Sequence, residues 1–250
     1  MRKFDKKTNK KSIFFRLIAF AISLFYCKSK VIGLENVKEP CVIITNNSKL
    51  CGPINAQYFF PLKKVIWCDA PMLDKKEFPA YAYSNFFNGN PTFFNKLLAK
   101  SLAPLVAHLF KNADTLPVYR DMRIVKTYKM SVQALNKGIC VFIMPESPIE
   151  HNEIINVFNE YFVDIARYYN KEQNKLLKFV PMYYSPKLKI MVFGKAIEFN
   201  TSNKIEDERK RICTYLMEQI TVLAKSLPKH KVVPFNNLKR KEYKYSKWLK

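Results

Sequence analysis

The chain has 250 residues, of which 48% are hydrophobic and 14% aromatic. It is therefore long enough for one sizeable domain and too apolar to be a disordered chain. Its 43 lysines and arginines outnumber 20 aspartates and glutamates, for a formal net charge of +23. Residues 1–30 and 225–250 carry +8 each. Such basic ends favour a polyanionic partner, either nucleic acid or an anionic bilayer surface, unless the lysine content only reflects the base composition of the genome.

The beginning of the chain predicts a helix that lies on a membrane. A basic leader, residues 1–11, precedes the nearly apolar residues 12–27, in which the uninterrupted stretch from Leu17 to Cys27 has 11 residues. Crossing a bilayer takes about 20 residues, and Arg16 within the run argues against a cleaved signal peptide. We therefore expect an interfacial amphipathic helix within residues 1–30, with lysines on anionic headgroups. The alternative is a core helix behind a disordered basic leader.

The predicted elements that follow alternate between strands and helices. Short apolar or β-branched runs predict strands at residues 31–35, 41–45, 64–68, 116–119, 139–144, 179–183 and 189–193. Apolar residues at helical spacing predict helices at residues 54–61, 93–111, 121–137, 152–169 and 205–227. This alternation predicts an α/β domain over residues 31–234 with a mixed, largely parallel sheet flanked by helices. Residues 235–250 form a basic tail.

The six cysteines are scattered, and no two of them form a Cys-x-x-Cys pair. The sequence therefore predicts no zinc ribbon, no other metal site and no disulfide framework. Several lie in apolar runs, as Cys140 does, which is typical of small core side chains in a reducing compartment.

Polar residues follow several of the predicted strands, where the sites of α/β sheets collect. They lie at residues 46–53, at Arg120, and at residues 145–150; Pro181 interrupts a fourth strand. Glu146 comes directly after a buried strand and a proline, which favours a place in a site over the alternative of a helix-capping carboxylate. Arg120 suits phosphate because its guanidinium is a fork of donors, but it could equally be a surface arginine at a helix start.

In order and spacing these segments resemble the lysophosphatidic acid (glycerolipid) acyltransferase superfamily, over roughly residues 12–200. That family has a buried strand followed by Asn-His-x-Ser-x-x-Asp-Pro. Here Asn46 and Pro53 are in place, whereas Asn47 stands for the histidine and Gly52 for the aspartate. The later blocks of the family are similar to residues 115–120, 144–148, 180–181 and 193–197.

The resemblance implies transfer of an acyl group from acyl-coenzyme A or acyl carrier protein, as co-substrate, to a lysophospholipid or glycerol-phosphate-type acceptor. No other cofactor is implied. In the family the histidine, oriented by the aspartate, takes the proton of the acceptor hydroxyl. The blocks that match Arg120, Glu146 and Ser147 hold the phosphate-bearing acceptor. The family acts at membranes, so the expected location is the cytoplasmic side of the cell membrane, as a peripheral or monotopic protein.

Asn47 and Gly52 put the catalytic part of this expectation in question, because an asparagine amide cannot take that proton. One explanation is a relocated base, for which His151 is the candidate, although it could instead be a solvent-facing residue before a helix. A second is a catalytically inactive protein that binds lipid or the acyl donor. A third is a misplaced alignment. A more distant alternative is a basic nucleic-acid-binding protein, with aromatics of the tail interleaved among its lysines.

Overall fold

The computed structural model describes residues 11–25, 29–38, 40–49, 51–87, 89–235 and 238–243, except for the side chains of residues 19, 22–25 and 240. The strands are β1 (Lys30–Ile32), β2 (Cys41–Thr45), β3 (Lys64–Asp69), β4 (Thr115–Val118), β5 (Cys140–Ile143), β6 (Glu146–Glu150), β7 (Asn156–Phe158), β8 (Lys178–Ser185), β9 (Ile190–Phe193) and β10 (Ile197–Glu198). The helices are α1 (Ile13–Phe25), α2 (Cys51–Phe59), α3 (Phe78–Asn85), α4 (Phe93–Asn112), α5 (Ile124–Leu135), α6 (Ile165–Gln173) and α7 (Ile205–Lys225).

The main sheet has the strand order β1-β9-β8-β2-β5-β3-β4, and β10 pairs with β8. Strands β8, β2, β5, β3 and β4 run parallel to one another, whereas β9 and β10 are antiparallel to β8. This confirms the predicted α/β class with a mixed, largely parallel sheet. The carboxyl ends of β2, β5, β3 and β4 therefore lie along one edge, which we call the carboxyl edge.

The two central strands explain why this sheet forms where it does. Every residue of β2 and of β5 is buried, as expected for continuous apolar runs that are covered on both faces. One face packs against α5, α6 and α7 in the larger core, and the other packs against α2 through Ala56 and against Phe60. The helices thus flank the sheet on both sides and leave the carboxyl edge to loops.

The helix predicted at residues 152–169 is wrong over its first part. That region instead forms a hairpin of β6 and β7, then a 3₁₀ turn at Glu160–Asp164, and only then α6. The reason is local, since the Asn152 side-chain oxygen accepts hydrogen bonds from the backbone N–H groups of Ile154 and Ile155 at 2.8 and 3.0 Å. Such a turn competes with the first turn of a helix.

Helix α1 packs onto the last turns of α4. The ring of Phe14 stands edge-on to that of His108 at 5.9 Å, and the Ser12 hydroxyl lies 2.8 Å from His108 Nε2. Phe15 is buried, but most of the other described apolar side chains of α1 are exposed. None of the helices in the described ranges combines the length and the hydropathy that crossing a bilayer would require.

Candidate functional site

The turn that follows β2 is held against β8 mainly by the side chain of Asn46. The carboxamide of Asn46 accepts a hydrogen bond from the backbone N–H of Tyr184 at 2.8 Å and donates to its carbonyl at 3.1 Å. The same amide donates to the Ser48 hydroxyl at 2.7 Å. Asn46 and Ser48 are both buried, so these polar groups hold the turn in place and are not free for a ligand.

The turn itself is tightly wound. Ser48 and Lys49 have φ values of 48° and 55°, a left-handed conformation that non-glycine residues adopt at a cost of about 1–3 kcal/mol. Gly52 then passes so close to the strand end that a Cβ added there would collide with the backbone carbonyl oxygen of Asn47. This backbone therefore excludes any side chain at position 52, including the orienting aspartate of the resembled family.

Glu146 ties the turn to the end of the neighbouring strand β5. One carboxylate oxygen accepts a hydrogen bond from the backbone N–H of Asn47 at 2.6 Å, and the other accepts from the backbone N–H of Asn156 at 2.9 Å. The structure thus brings together two of the residues that the sequence selects, Asn47 and Glu146. Their elements are adjacent, because β2 and β5 pair directly in the sheet.

The electrostatics of Glu146 are unusual for a carboxylate. Burial raises its pKa to about 7, against the opposing effect of the two backbone N–H groups that hydrogen-bond to it. The described side chains supply it with no lysine or arginine partner. A carboxyl group with a pKa near neutrality exchanges a proton at physiological pH, which is the property that general acid–base chemistry requires.

Asn47, whose backbone N–H binds this carboxylate, also contributes a side chain to the turn. It is half-buried, and no hydrogen bond links its carboxamide to another residue in the described part of the chain. An amide can donate to or accept from a substrate, but it cannot take a proton. The position that matches the base of the resembled family is therefore occupied by a group that can only hydrogen-bond.

Arg120 lies farther along the carboxyl edge. Its guanidinium binds both oxygens of Asp69, through Nε and Nη2 at 3.1–3.3 Å, and the Tyr81 hydroxyl donates to the same carboxylate at 2.7 Å. Arg120 follows β4 and Glu146 follows β5, and with β3 between them these two strands are about 10 Å apart. The side chain of Arg120 is 79% exposed, so part of its donor fork still faces solvent.

The structure places Ser147 and His151 on the β6–β7 hairpin. Ser147 follows Glu146, and its carbonyl accepts a hydrogen bond from the Asn156 carboxamide at 2.7 Å. His151 is exposed at the turn of the hairpin, where its backbone N–H donates to Ile155. No hydrogen bond joins its imidazole to another side chain among the residues described, so it faces solvent beyond the strand that carries Glu146.

The structure reveals a buried histidine that the sequence did not single out as a candidate. His230 is buried, and its Nδ1 lies 2.8 Å from the carbonyl oxygen of Pro228 while its Nε2 lies 2.8 Å from the Tyr183 hydroxyl. A carbonyl can only accept, so Nδ1 carries the hydrogen and Nε2 accepts from Tyr183. Burial, followed by the charge of Glu146, raises the pKa of Tyr183. The only sign in the sequence that His230 is buried is the apolar pair Val232 and Val233 that closely follows it.

The chain after α7 returns to the turn that follows β2. The ammonium of Lys49 donates to the carbonyl of Leu238 at 2.8 Å and lies 5.0 Å from the centre of the Tyr243 ring, and Lys231 lies 5.8 Å from that centre. The described part of the basic tail therefore lies against the candidate site. Two aromatics of the tail, Tyr245 and Trp248, lie outside the described residues.

The fold and the site together define an α/β protein with a polar site at the carboxyl edge of its sheet, centred on Asn47 and Glu146. Within the described ranges, no group of three histidine, cysteine, aspartate or glutamate side chains is placed to hold a metal ion.

Comparison with known proteins gives a likeness in structure but none in sequence. No protein-family model matches the chain, and no curated protein matches it in sequence. Among solved structures the chain is similar to the 1-acyl-sn-glycerophosphate (LPA) acyltransferase PlsC from Thermotoga maritima, with a TM-score of 0.47 and 11% identity, over 89% of this chain and 84% of that one. What the site can do follows from its own residues.

Proposed function

We propose that the protein transfers an acyl group from an acyl thioester to the hydroxyl of a lysophospholipid or glycerol-phosphate-type acceptor at an anionic membrane surface. The observation that supports this most directly is the contact between the backbone of Asn47 and the buried carboxylate of Glu146. It joins the two strand-end motifs in which the sequence resembles glycerolipid acyltransferases. The donor is acyl-coenzyme A or acyl carrier protein, and the location is the cytoplasmic face of the membrane.

In this proposal Glu146 replaces the missing histidine as the proton acceptor. The two backbone N–H groups use one lone pair on each of its oxygens, and a carboxylate has about four acceptor positions in all. Its pKa of about 7 allows it to take the proton of the acceptor hydroxyl at neutral pH. The hydroxyl oxygen then attacks the thioester carbonyl carbon, the carbon–sulfur bond breaks, and the departing thiolate takes the proton back from Glu146.

The remaining polar groups of the carboxyl edge take positioning roles. The free carboxamide of Asn47 would hydrogen-bond to the acceptor hydroxyl or to the thioester carbonyl. The exposed donors of Arg120 would bind the acceptor phosphate, for which a guanidinium fork is suited. His151 could act as the base only if the β6–β7 hairpin folded back over the site. We therefore assign the role of proton acceptor to Glu146.

A second candidate function is binding of lipid or acyl donor without catalysis. The observation that favours it is the same pair of residues, since Asn47 cannot act as a base and both oxygens of Glu146 already hold backbone N–H groups. In that case Glu146 is only a structural link between the two strand ends.

The test is a transfer assay with labelled acyl-coenzyme A and, in parallel, acyl carrier protein, using lysophosphatidic acid in anionic vesicles. We expect turnover by the wild type, and faster turnover by Asn47→His, because this variant places an imidazole beside a carboxylate. The matched control is Asn90→His, a change at an exposed asparagine. Restoring the aspartate at position 52 is not a useful variant, because the backbone excludes it.

The outcomes separate the candidates. If His151→Ala abolishes turnover and Glu146→Gln does not, His151 is favoured as the relocated base. Absence of turnover in the wild type and in Asn47→His, with lysophospholipid still bound, would favour the non-catalytic protein. Salt-sensitive binding of RNA without binding to anionic vesicles would reject both candidate functions and favour a nucleic-acid-binding protein.

A further inference from the structure

The outer face of α4 carries an exposed apolar surface that the predicted membrane contact of residues 1–30 leaves unexplained. Its three alanines at positions 99, 103 and 107 are buried at a spacing of four residues, which defines the inner side of the helix. The opposite side exposes large apolar residues in the first half of the helix. They are Phe93 (84% exposed), Phe94 (69%), Leu97 (54%), Leu98 and Leu102.

This surface continues onto α1. His108 and Asn112 lie on the same outer side of α4, about three to five turns beyond Phe94 and Leu97. They contact the start of α1 through Ser12 and Phe14. From this contact α1 exposes Ile13, Leu17 and Phe20, which recur at the spacing of one helical face. The two helices touch at this end and each exposes an apolar surface, and we call the two surfaces together the α1–α4 face.

The charges around the α1–α4 face indicate what covers it. Neither α1 nor α4 contains an acidic residue, whereas Arg16, Lys96 and Lys100 are exposed on them. A second copy of the chain would bring like charges together at this face, which disfavours self-association. A bilayer with anionic headgroups matches both features, because lysine and arginine reach the headgroups while phenylalanine and leucine enter the acyl region.

We propose that the outer face of α4 is a second membrane-docking element, which inserts Phe93, Phe94 and Leu97 into an anionic bilayer next to α1. This inference rests on the membrane surface of the proposed function and adds the part of the chain that holds it. The surface belongs to the interior of the sequence, so removal of residues 1–30 leaves it intact. In this geometry the first half of α4 lies on the bilayer beside α1.

The first experiment is flotation of the full chain with vesicles of phosphatidylcholine containing about 30% phosphatidylglycerol. The variant is Phe93→Ser, Phe94→Ser and Leu97→Ser together, in which serine keeps a helix propensity similar to that of phenylalanine. The matched control is Met122→Ser, Leu176→Ser and Val222→Ser, which removes three exposed apolar side chains elsewhere. We expect the variant to bind roughly tenfold more weakly or worse, since each buried aromatic adds strongly to partition, and the control to bind as the wild type does.

A second measurement remains informative if the triple variant misfolds. With the native Trp67 and Trp248 replaced by phenylalanine, Phe94→Trp places a single fluorophore on the face, and Val222→Trp places one away from it. Quenching of the former but not the latter by brominated acyl chains is expected. Equal quenching of the two, or none at position 94 while the wild type floats, would overturn the α4 assignment.

Failure of this inference differs from failure of the proposed function. In one outcome, Leu17→Ser with Phe20→Ser abolishes vesicle binding and the α4 variant binds as the wild type does. That outcome would reject the α4 face and retain membrane docking through α1. A dimer in solution that the α4 variant dissociates would show that a second copy covers the face, and would also reject the inference. Acyl transfer to a short-chain, water-soluble acceptor reports on the site at Glu146 independently of either result.

Discussion

Two buried glutamates stand in two regions of the molecule and meet opposite surroundings. Glu146, at the carboxyl edge, is held by backbone N–H groups of Asn47 and Asn156. Glu208, in the first turn of α7, is held by the guanidinium of Arg211, the carboxamide of Asn203 and the backbone N–H of Asn200 at 2.7–2.8 Å. The first site contains no cationic partner among the described residues, and the second contains one.

The difference appears in the two pKa values. Burial raises the pKa of Glu146 to about 7. Burial would also raise the pKa of Glu208, but the hydrogen bonds from Arg211, Asn200 and Asn203 outweigh it and lower the pKa to about 2. Glu208 is thus a permanently charged group that fixes the start of a helix, whereas Glu146 is able to change its protonation state at neutral pH. Burial alone therefore does not identify a functional carboxylate. The hydrogen-bonding and charged partners of the carboxylate determine whether its pKa is raised or lowered.

The largest expected effect is on acyl transfer. Glu146→Gln removes the proton acceptor and should lower turnover about 100-fold or more, the usual contribution of general acid–base catalysis. Glu208→Gln, measured where both variants are folded, should keep turnover within about twofold because Glu208 contacts no reacting group. Equal losses in the two variants would mean that Glu146 acts only on the fold.

The next effect is on stability and compares two glycines. Gly52→Ala should cost about 3 kcal/mol, because its Cβ meets the backbone oxygen of Asn47, which cannot give way without moving the turn. Gly194→Ala, beside α7, should cost less than about 1 kcal/mol, since its Cβ would meet side-chain atoms of Pro181 and Leu223 at 3.1 and 3.3 Å. Urea unfolding measures both, and a tolerated Gly52→Ala would contradict the tight turn.

Much of this architecture could be predicted from the sequence, and the exceptions are local. The buried runs at β2 and β5 are long and β-branched, so they identified the sheet, and the motif order placed Asn47 next to Glu146. The hairpin at residues 146–158 was missed because Asn152 redirects the chain through side-chain hydrogen bonds that periodicity does not register. His230 was missed because its burial depends on Tyr183, 47 positions away, a contact that no local pattern encodes.

A smaller effect on stability at neutral pH separates the two glutamates. Glu208→Gln should cost about 2 kcal/mol, because it removes the charge that Arg211 neutralises and leaves buried donors poorly satisfied. Glu146→Gln should cost less than about 1 kcal/mol, because a neutral amide avoids the burial of a charge although it loses one acceptor. Glu198→Gln, at the exposed pair with Lys178, is the control and should change the unfolding free energy by less than about 0.5 kcal/mol.

The two glutamates also make stability depend on pH, and the signs of the two dependences are opposite. Between pH 4.5 and about 7 the unfolded chain has released the Glu146 proton while the folded chain retains it, so this group lowers stability as pH rises. Glu208 stabilises the fold above pH 4.5 and loses that contribution as pH falls toward about 2. Urea unfolding across pH should show the first slope disappear in Glu146→Gln and the second in Glu208→Gln; slopes of the same sign would contradict the assignment.

The central claim is that Glu146 takes the proton of the acceptor in a membrane-surface acyl transfer. The pH profile of turnover, with labelled acyl-coenzyme A and lysophosphatidic acid in anionic vesicles, tests it most directly. The predicted result is a rate that rises with pH through an apparent pKa of about 7 and a residual rate in Glu146→Gln that lacks this rise. A profile with the same rise in the wild type and in Glu146→Gln would contradict the claim.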